Sequence, residues 1–227
     1  MTSRDLIYAP LESPTDERAR AVERIYAESF LDDERIPFEK LFDLFTRPVE
    51  GIRVTLGAFE QAGEVVALGS ASYHTERNLG YLAYLAVRAD LRSRGFGAQV
   101  VRSLLDWADG QARESLHTSS RFTFWEVRHP AAAATPEERR QCERRIRFYE
   151  GLGARTIPIT YVCPPIGPGL PEVVDLPMAY TYPPGRSLSR TDVLDLAWQG
   201  VVLINGAKPD SDYWAQTLRS VDELWPE

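Results

Sequence analysis

The chain is poor in the residues that staple small folds or bind metals. Its 227 residues include two cysteines, three histidines and two methionines. Cys142 and Cys163 form no C-x-x-C pair, so neither a disulfide framework nor a structural zinc site is expected, and no metal is assigned. No apolar run is long enough to span a bilayer, and the opening MTSRDLIYAP lacks the apolar core of a secretion signal. No membrane partner and a reducing, cytoplasmic setting are therefore expected. A basic excess is missing too: the net charge is −7 and the pI about 5.2. That balance argues against nucleic acid as a partner and mildly favours a cationic or amine ligand. Two phosphate-binding signatures also fail. Val100 stands where a G-x-G-x-x-G fingerprint needs its third glycine, and no G-K-[ST] occurs.

What is present is enough apolar residue, 44%, to bury one good core. Hydrophobic periodicity gives a short strand over Leu6–Ala9 and two helices, one ending at Phe30 and one over Phe38–Phe45, with Pro48 as its stop. Strands follow over Ile52–Phe59 and Val65–Tyr73, joined at Gln61–Glu64 with Gly63 in the turn, and then over Asn78–Val87. A helix over Ala98–Ser115 separates that strand from Phe122–Val127, so these two strands must run parallel. Thr135-Pro136-Glu137-Glu138 starts a fourth helix that runs to about Gly151. Ala154–Val162 and Val173–Tyr182 read as the last strands, and Ser189–Leu203 and Ser211–Leu224 as two further helices. The expected fold is α/β (α+β): a central mixed sheet of about seven strands flanked by helices. It divides into a domain over 1–182 and a helical C-terminal extension over 183–227.

The most informative segment is Leu82–Ala98, LAYLAVRADLRSRGFGA. An apolar strand ends at Leu85-Ala86-Val87. Then Arg92, Gly95 and Gly97 form R-x-x-G-x-G, and an amphipathic helix starts at once. Amide groups at a glycine-rich helix start make an anion site, and Arg92 and Arg94 add positive charge. This strand end and loop resemble motif A of the GNAT superfamily of acyl-CoA-dependent N-acetyltransferases, and the order of elements over Leu6–Tyr182 is similar to theirs. The resemblance implies acetyl-CoA as cosubstrate. Its pantetheine arm would enter where the two parallel strands, fourth and fifth, splay apart. Backbone groups of Leu85, Ala86 and Val87 would hold the arm, and Arg92, Ser93, Arg94, Gly95, Phe96, Gly97 and Ala98 would hold the pyrophosphate.

Arg147-Phe148-Tyr149-Glu150-Gly151-Leu152-Gly153-Ala154 resembles the segment that ends the fourth GNAT helix. By that resemblance Tyr149 protonates the leaving thiolate. A phenol, with a reference pKa of about 10, stays protonated and able to donate. Cys142 and Arg145 depart from the family pattern on this helix. The arginines around them read foremost as a solvated face paired with neighbouring glutamates.

The amine acceptor must lose a proton before it attacks. The position of the glutamate in the histone-acetylating branch holds Tyr81, which leaves Glu126 as the best carboxylate. Its competing role is a salt bridge to Arg128 or a neighbour. Asp33 and Glu34, between the first two helices, are candidates for the acceptor side, and His74 and His129 are alternative bases. The tail carries Trp198, Tyr213, Trp214 and Trp225, which suits packing on the core or against a second copy in a homodimer. Two functions remain open: N-acetyl transfer to a small-molecule or protein amine, and an acyl-CoA-binding sensor of the same fold without catalysis.

Overall fold

The structure, a computed structural model, describes residues 6–15, 17–31, 34–47, 49–165 and 167–226. They form two compact units, one reaching to Thr123 and the other starting at Phe124. The class is mixed α/β.

In the first unit, β1 (Ile7–Pro10), β2 (Ile52–Gln61), β3 (Glu64–His74) and β4 (Leu79–Val87) lie side by side in sequence order, each antiparallel to the next. The β2–β3 hairpin closes through Ala62 and Gly63, both at positive φ (51° and 83°). Two left-handed residues match the twist of the flanking strands, and glycine takes the second position without strain. Helices α1 (Glu17–Ser29) and α2 (Phe38–Thr46) bury Ala19, Val22, Ile25 and Tyr26, and Phe38, Leu41 and Phe42. Those residues share one core with Leu56, Ala58, Leu68 and Ala86 of the sheet. The long helix α3 (Phe96–Leu116) packs on β3 and β4 through Val100, Val101, Leu104, Leu105, Ala108 and Ala112.

The turn from α3 into β5 (Phe122–Arg128) is pinned by polar groups. The buried Asp109 accepts from the Ser120 N–H at 2.9 Å and from Arg113 Nε at 2.7 Å. Asn78, just before β4, accepts the Arg121 N–H at 2.9 Å and donates to the Ser119 carbonyl at 3.1 Å. The starts of β4 and β5 are thereby held together, as a helix-linked parallel pair requires.

In the second unit, β8 (Val173–Thr181) lies between β5 and β6 (Arg155–Thr156), and also pairs with β7 (Val162–Cys163). The single strand expected over Ala154–Val162 is thus two short ones. Pro158 is the reason: it has no N–H for the ladder, and the chain turns there with Ile159 N–H on the Ile157 carbonyl at 2.8 Å. Helix α4 (Pro136–Glu150) opens with a full capping box between Thr135 and Glu138. In the extension, α5 (Arg190–Ala197) runs into a π-helical stretch, Trp198–Ile204, and α6 (Asp212–Leu224) follows. The α5 start is fixed by the buried Asp192, which accepts from the Ser189 N–H and hydroxyl and from Arg186. Both cysteines are buried and neither is in a disulfide. Among the described residues, no helix is long and apolar enough to cross a membrane, and no cluster of ligating side chains could hold a metal ion.

His74 closes β3 in a buried position, with its Nε2 3.2 Å from Ser72 Oγ. Burial, with Arg77 adding repulsion, pushes its pKa down to about 4. It is therefore neutral in the folded protein at pH 7 and a weak base. Above pH 6.5 the folded and unfolded states are both uncharged at this ring. Below it the unfolded chain binds a proton that the folded one refuses until about pH 4. Stability relative to His74→Gln should fall across that window, by about 3 kcal/mol in all. Urea midpoints of both proteins at pH 7 and pH 4.5 measure this, and parallel pH dependences would remove His74 as the cause.

Candidate functional site

The first unit carries the candidate anion cradle. Its sequence runs from the end of β4 through a short 3-10 turn (Ala89–Leu91) into α3. The helix starts at Phe96, two residues before the expected Ala98, so Phe96, Gly97 and Ala98 form its first turn. The first N–H groups of a helix have no intrahelical acceptor and sit at the positive end of its dipole. Two residues just before it, Ser93 (φ 64°) and Gly95 (φ 88°), are left-handed. Left-handed residues at a turn make the concave arrays of amides that bind anions. Gly95 is the N-cap, and a Cβ built there meets nothing within 4 Å. Asp90 is held by the Arg88 guanidinium, which keeps its carboxyl below the usual range. Arg94 donates to the Asp90 carbonyl at 3.3 Å. Arg92 reaches across, donating to the Val87 carbonyl at 3.1 Å and to Ser29 Oγ at 3.2 Å. It therefore ties the loop to the end of β4 and to α1, a structural part beyond the charge expected of it. This donor set suits a pyrophosphate.

β4 is irregular just before Leu85-Ala86-Val87. Its register with β3 slips between Gly69 and Ala71, and Ser70 Oγ accepts the Tyr84 N–H at 3.0 Å. Such bulges re-aim side chains beside functional sites. Tyr84 meets Tyr26 and Phe30 edge-on at 5.0 and 5.1 Å, and Phe38 lies 6.1 Å from Tyr26. The members of this aromatic group come from three parts of the chain, so no local pattern in the sequence announces it. A cavity of about 290 Å³ between α1 and α2 is lined by Tyr26 and Phe38, with Glu23 and Arg35. Glu34 stands in the turn entering α2, its N–H on the Leu31 carbonyl at 3.0 Å. Asp33 lies outside the described residues.

The second unit carries the candidate proton groups. Tyr149 ends α4, and its ring packs on Trp125 of β5 with centroids 4.9 Å apart and on Phe148 at 5.0 Å. The ring is part-buried, and the protein around the hydroxyl pushes its pKa up, with Arg145 pulling the other way. It stays a protonated donor at neutral pH. Trp125 is 4% exposed, and its indole N–H has no hydrogen-bond partner among the described residues. A buried donor in that state costs about 1–3 kcal/mol unless something accepts from it. It is thus suited to a carbonyl-bearing ligand beside Tyr149. Of the α4 arginines, Arg140 and Arg144 form exposed pairs with Glu137, the first at 2.7 Å, and Arg147 with Glu143.

Glu126, the next residue of β5, points to the opposite strand face from Trp125. Tyr161 donates its hydroxyl to Glu126 Oε1, and Asn205 Nδ2 donates to the same oxygen at 3.0 Å. Neither partner was expected from the sequence, since they lie 35 and 79 residues away. His129 has a local duty: its Nδ1 accepts the Ala131 N–H at 3.0 Å and caps a 3-10 turn (Pro130–Ala132).

Comparisons with known proteins identify the family and the fold. The profile of the acetyltransferase (GNAT) family matches residues 19–135. No curated protein matches the chain significantly. Among solved structures, a Bacteroides thetaiotaomicron protein assigned to the GNAT acetyltransferases superposes with a TM-score of 0.67 at 17% identity, over 89% of this chain and 99% of that one. Ard1 from Thermoplasma volcanium gives 0.51 at 20% identity, over 77% and 97%. A Desulfovibrio desulfuricans protein assigned to the same family gives 0.52 at 15% identity, over 78% and 98%. At such identities the likeness is one of fold, while the profile covers more than half of the chain, from α1 through the cradle to the end of β5. The chain belongs to the GNAT acetyltransferase family.

Proposed function

We propose that the protein is an N-acetyltransferase that moves an acetyl group from acetyl-CoA to a primary amine. The observation that carries this reading is the cradle: left-handed Ser93 and Gly95 at the start of α3, with Arg92 and Arg94 beside them, directly after β4. Amides of Ser93 to Ala98 bind the pyrophosphate, and backbone groups of Leu85, Ala86 and Val87 bind the pantetheine arm. When bound, acetyl-CoA supplies the thioester that an amine attacks in a ternary complex.

The chain's own groups then handle two protons. An alkylammonium has a pKa near 10.4 and must be deprotonated to attack. Glu126 accepts that proton, directly or through water. Tyr149, kept protonated by burial, donates one to the departing thiolate and recovers it from solvent. The rings of Tyr26, Phe30 and Tyr84 offer an apolar wall to an amine carried on an apolar group.

The experiment is thiol release from acetyl-CoA with a panel of arylalkyl, aliphatic and N-terminal peptide amines. Acceptor-dependent release is expected, strongest with apolar amines. Calorimetric binding of acetyl-CoA without release for any acceptor would instead identify a sensor. No binding at all would end both readings.

A further inference from the structure

We infer that the C-terminal extension completes the active centre: Asn205 is a positioning residue that, with Tyr161, fixes the carboxylate of Glu126 for proton transfer. The inference rests on the reading of Glu126 as base. Tyr161, Gly200 and Asn205 all lie outside the residues matched by the family profile.

Three observations converge on one carboxylate oxygen. Asn205 Nδ2 donates to Glu126 Oε1 and to the Gly200 carbonyl, both at 3.0 Å, so each amide hydrogen has its own acceptor. The Asn205 backbone N–H is also on the Gly200 carbonyl, at 2.9 Å. That bond spans five residues, the π spacing, and closes the widened turn over Trp198–Ile204. The extra residue in the turn sets Asn205 against the carboxylate. Wide turns of this kind are used in helices at functional positions.

The second observation is Gly200. A Cβ there would collide with Tyr161 Oη and lie 3.1 Å from Glu126 Oε1. Only glycine lets the helical backbone come so near the pair. The third is the chemical type of the donors. Tyr161 and Asn205 are both neutral donors, so neither of these two contacts cancels the charge of Glu126. With both on Oε1, that oxygen is held from two sides. A base held in one geometry avoids reorganisation during transfer.

The test uses the full chain with acetyl-CoA and the amine panel. Asn205→Ala should lower kcat about tenfold or more, with KM for acetyl-CoA within about twofold. Asn205→Asp, which removes the donor and adds a like charge, should lower it further. Because Asn205 acts through Glu126, Glu126→Gln/Asn205→Ala should be no slower than Glu126→Gln alone. Wild-type turnover in Asn205→Ala, or an equal loss in both backgrounds, would overturn the role of the extension while leaving Glu126 in place. Full activity in Glu126→Gln would remove the base, and this inference with it. A second readout needs no turnover. The side-chain amide resonances of Asn205, identified by their loss in Asn205→Ala, should shift in Glu126→Gln, and unmoved resonances would refute the contact itself.

Discussion

Tyr149→Phe should reduce kcat about 10²- to 10⁴-fold, the usual range for losing a positioned proton donor. That is about 3–5 kcal/mol of barrier. Acetyl-CoA affinity by calorimetry should change little. The substitution removes one oxygen and keeps the ring, so the contacts with Trp125 and Phe148 at 4.9 and 5.0 Å survive. Stability should therefore hold, and a fall in turnover reports chemistry rather than packing. The direction of the pKa matters here. Burial raises it, Arg145 opposes the rise, and the group remains a phenol with its proton in place. A thiolate that leaves without that proton is a poorer leaving group. The amine then returns to starting material more often than it goes on. Equal turnover in mutant and wild type, with any acceptor that works, would take Tyr149 out of the mechanism.

The parts of this molecule that could be read from the sequence are those whose signals are local. R-x-x-G-x-G after an apolar strand is spelled out within seventeen residues, and a left-handed turn into a helix stands there. Thr135-Pro136-Glu137-Glu138 contains every group of its capping box within four positions. The turn at Ala62–Gly63 is equally self-contained. The cap at His129 is just as local: a side-chain acceptor followed by Pro130 is a helix-start signal, and the ring takes the Ala131 N–H. Apolar content and spacing misled at Pro158, because periodicity records which side chains are buried and not whether each N–H exists. The partners of Glu126 were out of reach for another reason. Tyr161 and Asn205 arrive from two elements in the second unit, and their meeting depends on packing and on a widened helical turn. No propensity rule predicts an extra residue in a turn. The only trace in the sequence is Gly200 amid apolar residues, and a glycine there reads first as a weak helix position.

Gly95→Asp should weaken acetyl-CoA binding at least about 100-fold, which is near 2.7 kcal/mol. Two separable effects add. The first is backbone: φ at Gly95 is +88°, and a residue with a Cβ in that region is strained by about 1–2 kcal/mol. The second is charge. A carboxylate at the N-cap of α3 takes the positive helix end for itself and repels the pyrophosphate that should sit there. Steric damage to the protein is not a third effect, because a Cβ at this position meets nothing within 4 Å. Gly95→Asn separates the two. Asn has nearly the shape of Asp and the same tolerance of the left-handed region but carries no charge, so it keeps the backbone effect, loses the charge effect and should bind several-fold more tightly than Gly95→Asp. The gap between Asn and Asp should narrow as salt is raised, since the site is open to solvent and screening weakens exposed charges. Both variants should remain folded at 25 °C by circular dichroism, with thermal midpoints a few degrees below wild type. If Gly95→Asp binds acetyl-CoA as tightly as wild type at low salt, no diphosphate rests on these amides. The arrangement of Ser93, Gly95 and the start of α3 would then be a turn that only looks like a cradle.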